Sequence, residues 1–282
     1  MYDFFKKYGG RQNMLKVKQY VKAESLEQAY ELNQKRANRI IGGMLWMKMS
    51  NTRVHTVIDL SGLGLDKIEE NEEEFSIGCM ATLRQLEQHE GLDAFSQGAI
   101  RESTRHIVGV QFRNLATVGG SIFGRFGFSD ILTCFLAMDT YVELYKGGVI
   151  SLKEFVNRKK DNDILVRLIV KKTPASHVYL THRNTKTDFP VLAVALSVNE
   201  TGGKVVVGAR PARALCVPMK EEWSQSISNG SCTQEEAEAI AAELAKQIPT
   251  GSNTRAGAAY RSHLAKVLIK RGILKLLEER GQ

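Results

Sequence analysis

Two pairs of adjacent glycines constrain this chain more than any other feature of its sequence. Gly42-Gly43 follows a predicted strand, and Gly119-Gly120 follows an extended segment that contains Thr117. Glycine lets a backbone approach a ligand closely and adopt positive φ angles. Successive free N–H groups in such a turn bind anions, including a pyrophosphate. One diglycine is most often only a tight turn, so spacing alone leaves both structural turns and a cofactor site open.

The elements around the first glycine pair predict a small β-α-β unit. Residues 15–22 alternate between apolar and polar side chains, as a half-buried strand does. Ser25 and Gln28 have the spacing of a capping box at the start of a helix. Further strands are predicted at Arg39–Ile41, which runs into the glycines, and at Val54–Leu60.

The middle of the chain alternates between short strands and helices. A strand is expected at Phe75–Cys79, followed by a helix with Thr82 as its N-cap. Residues 94–107 are predicted to be one helix. Asp130 precedes the apolar helix Ile131–Met138, and an acidic residue suits a helix N-terminus.

The character of the sequence changes near residue 175. Three antiparallel strands are predicted at Val178–Leu180, Ala193–Asn199 and Lys204–Ala209, followed by helices at Thr233–Gln247 and Ala256–Glu279. The whole pattern indicates an α+β protein. The expected divisions are an N-terminal extension at 1–13, a first subdomain at 14–60, a second at 61–174 and a C-terminal domain at 175–282.

Several functional classes find no support in the composition. The four cysteines form no C-x-x-C pair and the six histidines lack metal-ligand spacing, so no metal site is expected. The net charge of +8 comes without interleaved aromatic residues, so a solvated surface is favoured over a nucleic-acid groove. No run approaches the roughly 20 apolar residues of a membrane span, and the first residues lack the apolar core of a secretory signal. We expect a cytoplasmic protein.

The second glycine pair lies within a longer recognisable motif. The segment QFRNLATVGGSI, residues 111–122, is similar to Q-x-R-N-x-A-T-x-G-G-N-I of the molybdopterin dehydrogenase FAD-binding family. This family includes the flavin subunits of xanthine and carbon monoxide dehydrogenases. SDIL followed by LAMD, the IGG before VIDLSGL, and the C-terminal TRAGAAYRSHLAKVLIKR also match it. The resemblance extends from about Met14 to Glu279.

The resemblance implies a fold and a set of FAD-binding residues. Two subdomains of the vanillyl-alcohol-oxidase type would hold FAD between them, and a C-terminal three-stranded sheet with helices would close the site. Thr117 and Ser121 would offer hydroxyl groups, Asp130 would accept hydrogen bonds on the ribose side, and Ile164 and Tyr179 would pack near the cofactor. The backbone around the diphosphate would come from Arg39, Ile40, Ile41, Gly42, Gly43, Met44 and Leu45 and from Ala116, Thr117, Val118, Gly119 and Gly120.

The chain departs from the family pattern at three places. The first loop has Met44 and Leu45 where the family usually has threonine and an acidic residue. Ser121 replaces the usual asparagine, and Leu180 stands where a lysine commonly follows the aromatic residue matched by Tyr179. These changes affect side-chain contacts with FAD rather than the predicted fold.

The resemblance implies an electron-transfer role without a catalytic side chain. In this family a large subunit oxidises the substrate at molybdopterin, and electrons pass through [2Fe–2S] clusters of a small subunit to FAD and commonly to NAD⁺. The lack of paired cysteines here agrees with clusters held by a partner. Two alternatives stay open: a stand-alone flavin oxidase or reductase, and a subunit that has lost FAD and serves a structural role.

Overall fold

The computed structural model describes residues 15–278, which form three β-sheets and eleven α-helices. The predicted extension at 1–13 and the last predicted helical residue, Glu279, lie outside the described residues. The strands are β1 Lys16–Lys22, β2 Arg39–Ile41, β3 Arg53–Asp59, β4 Ile68–Glu70, β5 Glu74–Gly78, β6 Thr140–Leu144, β7 Gly148–Ser151, β8 Leu165–Lys171, β9 Ser176–Arg183, β10 Pro190–Asn199, β11 Gly202–Gly208 and β12 Leu215–Pro218. The helices are α1 Leu26–Asn33, α2 Leu83–Gln88, α3 Glu90–Phe95, α4 Ala99–Arg105, α5 Val110–Arg113, α6 Val118–Phe123, α7 Asp130–Ala137, α8 Leu152–Asn157, α9 Glu221–Ser228, α10 Gln234–Lys246 and α11 Ala258–Glu278.

The first sheet is parallel and carries the first glycine pair at its edge. Its strand order is β1-β3-β2, and α1 connects β1 to β2, which confirms the predicted β-α-β unit. Ser25 caps α1 by accepting a hydrogen bond from the Gln28 amide, 3.1 Å away. Because β2 ends at Ile41, the glycines follow the carboxyl end of a parallel strand, where open α/β sheets commonly bind ligands.

The second sheet is antiparallel, with the order β4-β5-β8-β6-β7. Thr82 forms the predicted N-cap of α2, completed as a capping box by Gln85. The single helix predicted over residues 94–107 is wrong, because α3 and α4 are separate helices. Gln97 and Gly98 between them have φ angles of 50° and 81°, a left-handed conformation that ends the first helix.

The third sheet is antiparallel and has four strands, in the order β12-β11-β10-β9. Three of them were predicted, and β12 was missed because its four residues, Leu215–Pro218, are too few to show an alternating pattern. Helices α9, α10 and α11 cover one face of this sheet. Val178, Leu196 and Leu268 belong to the apolar core between them.

Helix α7 packs on β10 and β11 of the third sheet and on helices α4, α6 and α8, and it is buried along its whole length. Its residues contribute to the largest apolar core, together with side chains from the second and third sheets. The first residue of α7 is Asp130, so this carboxyl group is carried into the interior with only 5% of its surface exposed. Within residues 15–278, no helix is both long and apolar enough to cross a membrane.

Candidate functional site

The two diglycine loops lie against each other, and their glycines make this contact possible. A Cβ added to Gly43 would overlap the backbone carbonyl of Leu115, and one added to Gly42 would overlap the hydroxyl of Thr117. None of the four loop glycines is among the described residues with positive φ. The expectation that these glycines supply positive φ is therefore wrong, and close packing of two backbones is the reason for Gly42 and Gly43.

The amides of the second loop already have partners within the protein. Val118 N–H donates to the Ala81 carbonyl at 2.8 Å, and Gly119 N–H donates to the Cys79 carbonyl at 2.8 Å. Gly120 N–H donates to the Thr117 hydroxyl at 3.2 Å, which makes Thr117 the N-cap of α6. This loop is thus the first turn of a helix fixed to the end of β5, and not a turn of free amides as predicted.

The amides of the first loop have no hydrogen-bond partner among the described residues. Within residues 15–278, no acceptor partners the N–H groups of Gly42, Gly43, Met44 or Leu45. Met44 has a φ of 56°, a conformation that a non-glycine residue adopts rarely. Consecutive unpaired amides in such a turn suit an anion, so of the two described loops the first has the unpaired amides that were predicted for both.

Two cavities, of about 310 and 510 Å³, adjoin the loops on the described surface. We call the first the aromatic cavity and the second the basic cavity, for the side chains that distinguish them. Both are lined by the same strip of chain, in which the two loops meet. This shared strip consists of Ile40, Ile41, Gly42, Thr117 and Gly120.

Five aromatic rings from four segments of the chain line the aromatic cavity. Trp46 follows the free amides directly, and its ring stacks on Phe189 with centroids 5.4 Å apart. Phe128 contacts Phe189 edge-on at 4.6 Å and stacks on Phe126 at 5.2 Å. Phe112 completes the set. Such a surface favours a planar apolar ring system.

The basic cavity differs in charge and in shape. Arg36, Arg39 and Lys160 line it, together with the asparagines at 33, 38 and 162. Ile164 contributes an apolar wall and is only 1% exposed. Cys79 also lies there, and burial raises the pKa of its thiol to about 12, so it stays protonated. Asp161 and Asp163 also line this cavity, so its charge is mixed with a small excess of cationic side chains, which suits a polar ligand portion.

Asp130 joins the aromatic cavity to the third sheet. Its Oδ1 accepts hydrogen bonds from the Tyr179 hydroxyl at 2.6 Å and from Arg183 Nη2 at 2.5 Å. Burial raises the pKa of the Asp130 carboxyl, and the charge of Arg183 opposes that rise. Burial and the adjacent Asp130 raise the pKa of Tyr179 well above its usual value, so Tyr179 remains a donor.

The structure brings most of the predicted site residues together. Those that line a cavity are Arg39, Ile40, Ile41, Gly42, Gly43, Met44, Leu45, Ala116, Thr117, Gly119, Gly120, Ser121, Asp130 and Ile164. Val118 is fully buried, and Tyr179 reaches the aromatic cavity only through Asp130. The sequence motifs did not identify the five rings, Arg183, Arg36 or Lys160 as site residues, although Phe126 and Phe128 on either side of Gly127 gave a signal.

Comparison with known proteins gives a family match over more than half of the chain. Residues 14–172 match the family model described as FAD binding domain in molybdopterin dehydrogenase. The "Uncharacterized protein YgfM" of Escherichia coli (strain K12) is 22% identical over 258 residues, which cover 90% of this chain and 94% of that protein.

Solved structures share the fold over nearly the whole chain. Quinoline 2-oxidoreductase from Pseudomonas putida 86 gives a TM-score of 0.80 at 16% identity, covering 93% of this chain and 97% of the matched one. Reconstituted CO dehydrogenase from Oligotropha carboxidovorans gives 0.77 at 20% identity, covering 92% and 97%. The similarity therefore includes the third sheet and its helices, which lie beyond the family match.

Proposed function

Because this chain belongs to the family of FAD-binding domains in molybdopterin dehydrogenases, we propose that it transfers electrons as the flavin subunit of a cytoplasmic molybdenum hydroxylase. FAD is the cofactor of this family. In the proposed path, electrons arrive from [2Fe–2S] clusters on a small partner subunit and leave to NAD⁺ or another acceptor. A large partner subunit holds the molybdopterin.

The observation that supports this proposal best is the free-amide loop between two dissimilar cavities. A dinucleotide has a diphosphate in its middle, and the amides of Gly42, Gly43, Met44 and Leu45 would hold it. The loss of the family's threonine and acidic residue leaves this backbone intact. The structure therefore favours retained FAD binding over a subunit that has lost its cofactor.

The two cavities define how FAD would be oriented. Its isoalloxazine ring would lie in the aromatic cavity, beside Trp46 and Phe128. Its adenosine half would lie in the basic cavity, where Arg36 and Lys160 offer positive charge and Ile164 offers apolar surface. Asp130 would then face the ribityl side of the cofactor.

FAD supplies a centre that exchanges hydride equivalents and single electrons, while the protein positions it and sets its electrostatic surroundings. The side chains of this chain bind and orient, and none is required as an acid, base or nucleophile. Thr117 orders the second loop through its hydrogen bond to Gly120. Arg183 neutralises Asp130 and ties the third sheet to α7.

The cofactor assignment is tested on the purified full chain. Acid precipitation followed by chromatography is expected to release FAD into the supernatant, because no histidine or cysteine lies in either loop for covalent attachment. Recovery of FMN, or of flavin on the precipitated chain, contradicts the assignment. A protein that neither retains nor takes up FAD supports the structural role instead.

The subunit assignment is tested by co-expression. When this chain is co-expressed with a candidate iron–sulfur subunit and a candidate molybdopterin subunit, we expect a complex in which the substrate reduces the flavin. The isolated chain should oxidise no purine, N-heterocycle or aldehyde. Enzyme-like oxidation by the isolated chain would replace the proposal with a stand-alone flavin oxidase.

A further inference from the structure

Trp46 occupies an unusual position for so large an apolar side chain. It follows the free-amide loop directly and lines the aromatic cavity, yet 44% of its surface is exposed. Phe189 stacks on it, and Phe112 and Phe128 meet it edge-on at 5.9 and 6.4 Å. Three rings from three different segments thus hold the indole in place.

The surroundings of Trp46 leave it suited to a ligand rather than to the core. It belongs to none of the apolar core clusters of the described residues. An exposed indole held rigidly by other rings loses little conformational freedom when a planar ligand packs on it. Offset stacking is favourable for such a pair of ring systems.

The distance from Gly43 to Trp46 also agrees with the dimensions of FAD. Trp46 is three residues after Gly43, so its Cα lies at most about 11 Å from that of Gly43. The ribityl arm of FAD spans a gap of this size between the diphosphate and the isoalloxazine ring. A diphosphate at the free amides therefore leaves the flavin ring within reach of the indole.

We propose that Trp46 is the residue against which the isoalloxazine ring packs. The inference rests on the proposed function and adds a residue that discriminates between the two halves of FAD. Trp46 contributes affinity to the flavin half alone, whereas the loop before it contributes affinity to the diphosphate. Its substitution therefore separates FAD from ADP, which has the diphosphate and the adenosine but no flavin ring.

The experiment measures the dissociation constants of FAD and ADP by calorimetry for wild type, Trp46→Leu and Trp46→Phe. Loss of one stacked ring is expected to weaken FAD binding about tenfold in Trp46→Leu. Trp46→Phe should retain most of the affinity, and ADP binding should be unchanged in both. Trp223→Leu is the matched control, since Trp223 is the other tryptophan and lies on α9 beside the core of the third sheet.

Each other outcome identifies which statement has failed. Unchanged FAD affinity in Trp46→Leu overturns the role of Trp46 and leaves the proposed function standing. Equal losses for FAD and ADP, in Trp46→Phe as well as Trp46→Leu, overturn it too, because Trp46 would then only shape the loop. A wild-type chain that binds ADP but not FAD refutes the proposed function itself.

Discussion

Gly120→Ala adds one methyl group where the two cavities meet, without disturbing the protein around it. Gly120 is exposed, lies in the first turn of α6 and lines both cavities. The atom nearest an added Cβ is the Thr117 hydroxyl oxygen at 3.1 Å, and no other atom of the described residues lies close. The substitution therefore changes the ligand site more than the fold.

The expected effects on stability and on binding have opposite signs. Alanine is favoured over glycine within a helix by roughly 0.5–1 kcal/mol, and the tight contact with Thr117 offsets part of this gain. The melting temperature without ligand should thus stay level or rise by no more than about 3 °C. A methyl group in the path of FAD should cost about 1–3 kcal/mol of binding, which weakens FAD affinity by roughly 5- to 150-fold.

The assay combines calorimetric titration with FAD and thermal unfolding without ligand. Gly119→Ala is the matched control, because its Cβ would lie 2.6 Å from the Cys79 carbonyl oxygen and 2.8 Å from Cys79 Cβ. That neighbouring substitution should lower the melting temperature of the ligand-free protein. If Gly120→Ala were stable and bound FAD like wild type, the cofactor would not pass between the loops, and the placement of the diphosphate would be refuted.

Three further predictions concern stability. Thr117→Val should lower the free energy of unfolding by about 1 kcal/mol, because it removes the oxygen that accepts from Gly120 N–H and caps α6. Thr117→Ser keeps this oxygen and should not lower it; equal denaturation midpoints for the two variants would contradict a capping role for Thr117. His177→Leu should weaken the pH dependence of the free energy of unfolding. Burial lowers the pKa of His177 to about 4, so between pH 6.5 and 4 only the unfolded state binds the proton. Acidification over this range should therefore lower the stability of the wild-type protein by up to about 3 kcal/mol, and that of the variant by less. The free energy of unfolding is measured by urea denaturation at several pH values. If it depended on pH equally in wild type and His177→Leu, this contribution of His177 would be excluded. Arg261→Lys should lower the free energy of unfolding by about 3 kcal/mol or more, measured by thermal unfolding. The guanidinium of Arg261 is fully buried and donates to three backbone carbonyls, including that of Val191, and to one side-chain oxygen, and a single ammonium cannot replace it. A variant as stable as wild type would contradict that reasoning.

Local features of the fold were predictable from the sequence because their causes are local. The alternation in residues 15–22 gave β1, and Ser25 and Thr82 marked the starts of α1 and α2. Each of these signals depends on residues within four positions of one another. By contrast, β12 pairs with β11 without an alternating pattern of its own, so no local signal announced it.

The aromatic cavity was not predictable because its rings come together only in the folded chain. Trp46, Phe112 and Phe189 are far apart in sequence, and no pattern links them. The same holds for the arginine beside Asp130, since Arg183 lies 53 residues further along. Sequence motifs located the loops, but not the surfaces on either side of them. The expected divisions at residues 60 and 174 stay a prediction.

The two glycine loops differ in the hydrogen-bond partners of their backbone amides. The N–H groups of the second loop donate to the Ala81 and Cys79 carbonyls and to the capping hydroxyl of Thr117, and Gly119 lets α6 lie close to Cys79 at the end of β5. The first loop follows a strand end and has no such neighbours among the described residues, so its amides remain available. A glycine pair in the sequence therefore cannot by itself distinguish a loop with unpaired amides from a loop whose amides are used within the protein.

This division also explains why the first loop tolerates Met44 and Leu45 in place of polar residues. The groups proposed to bind the diphosphate are backbone amides, which every non-proline residue retains. What the loop cannot change is Gly42 and Gly43, because any Cβ there would meet Thr117 or Leu115. Side chains after the glycines are then free to serve the flavin half, and an indole at position 46 extends the apolar wall that such a ring needs. Under the proposed orientation of FAD, the departure from the family pattern would alter how the flavin ring is held and would leave the backbone proposed for the diphosphate unchanged.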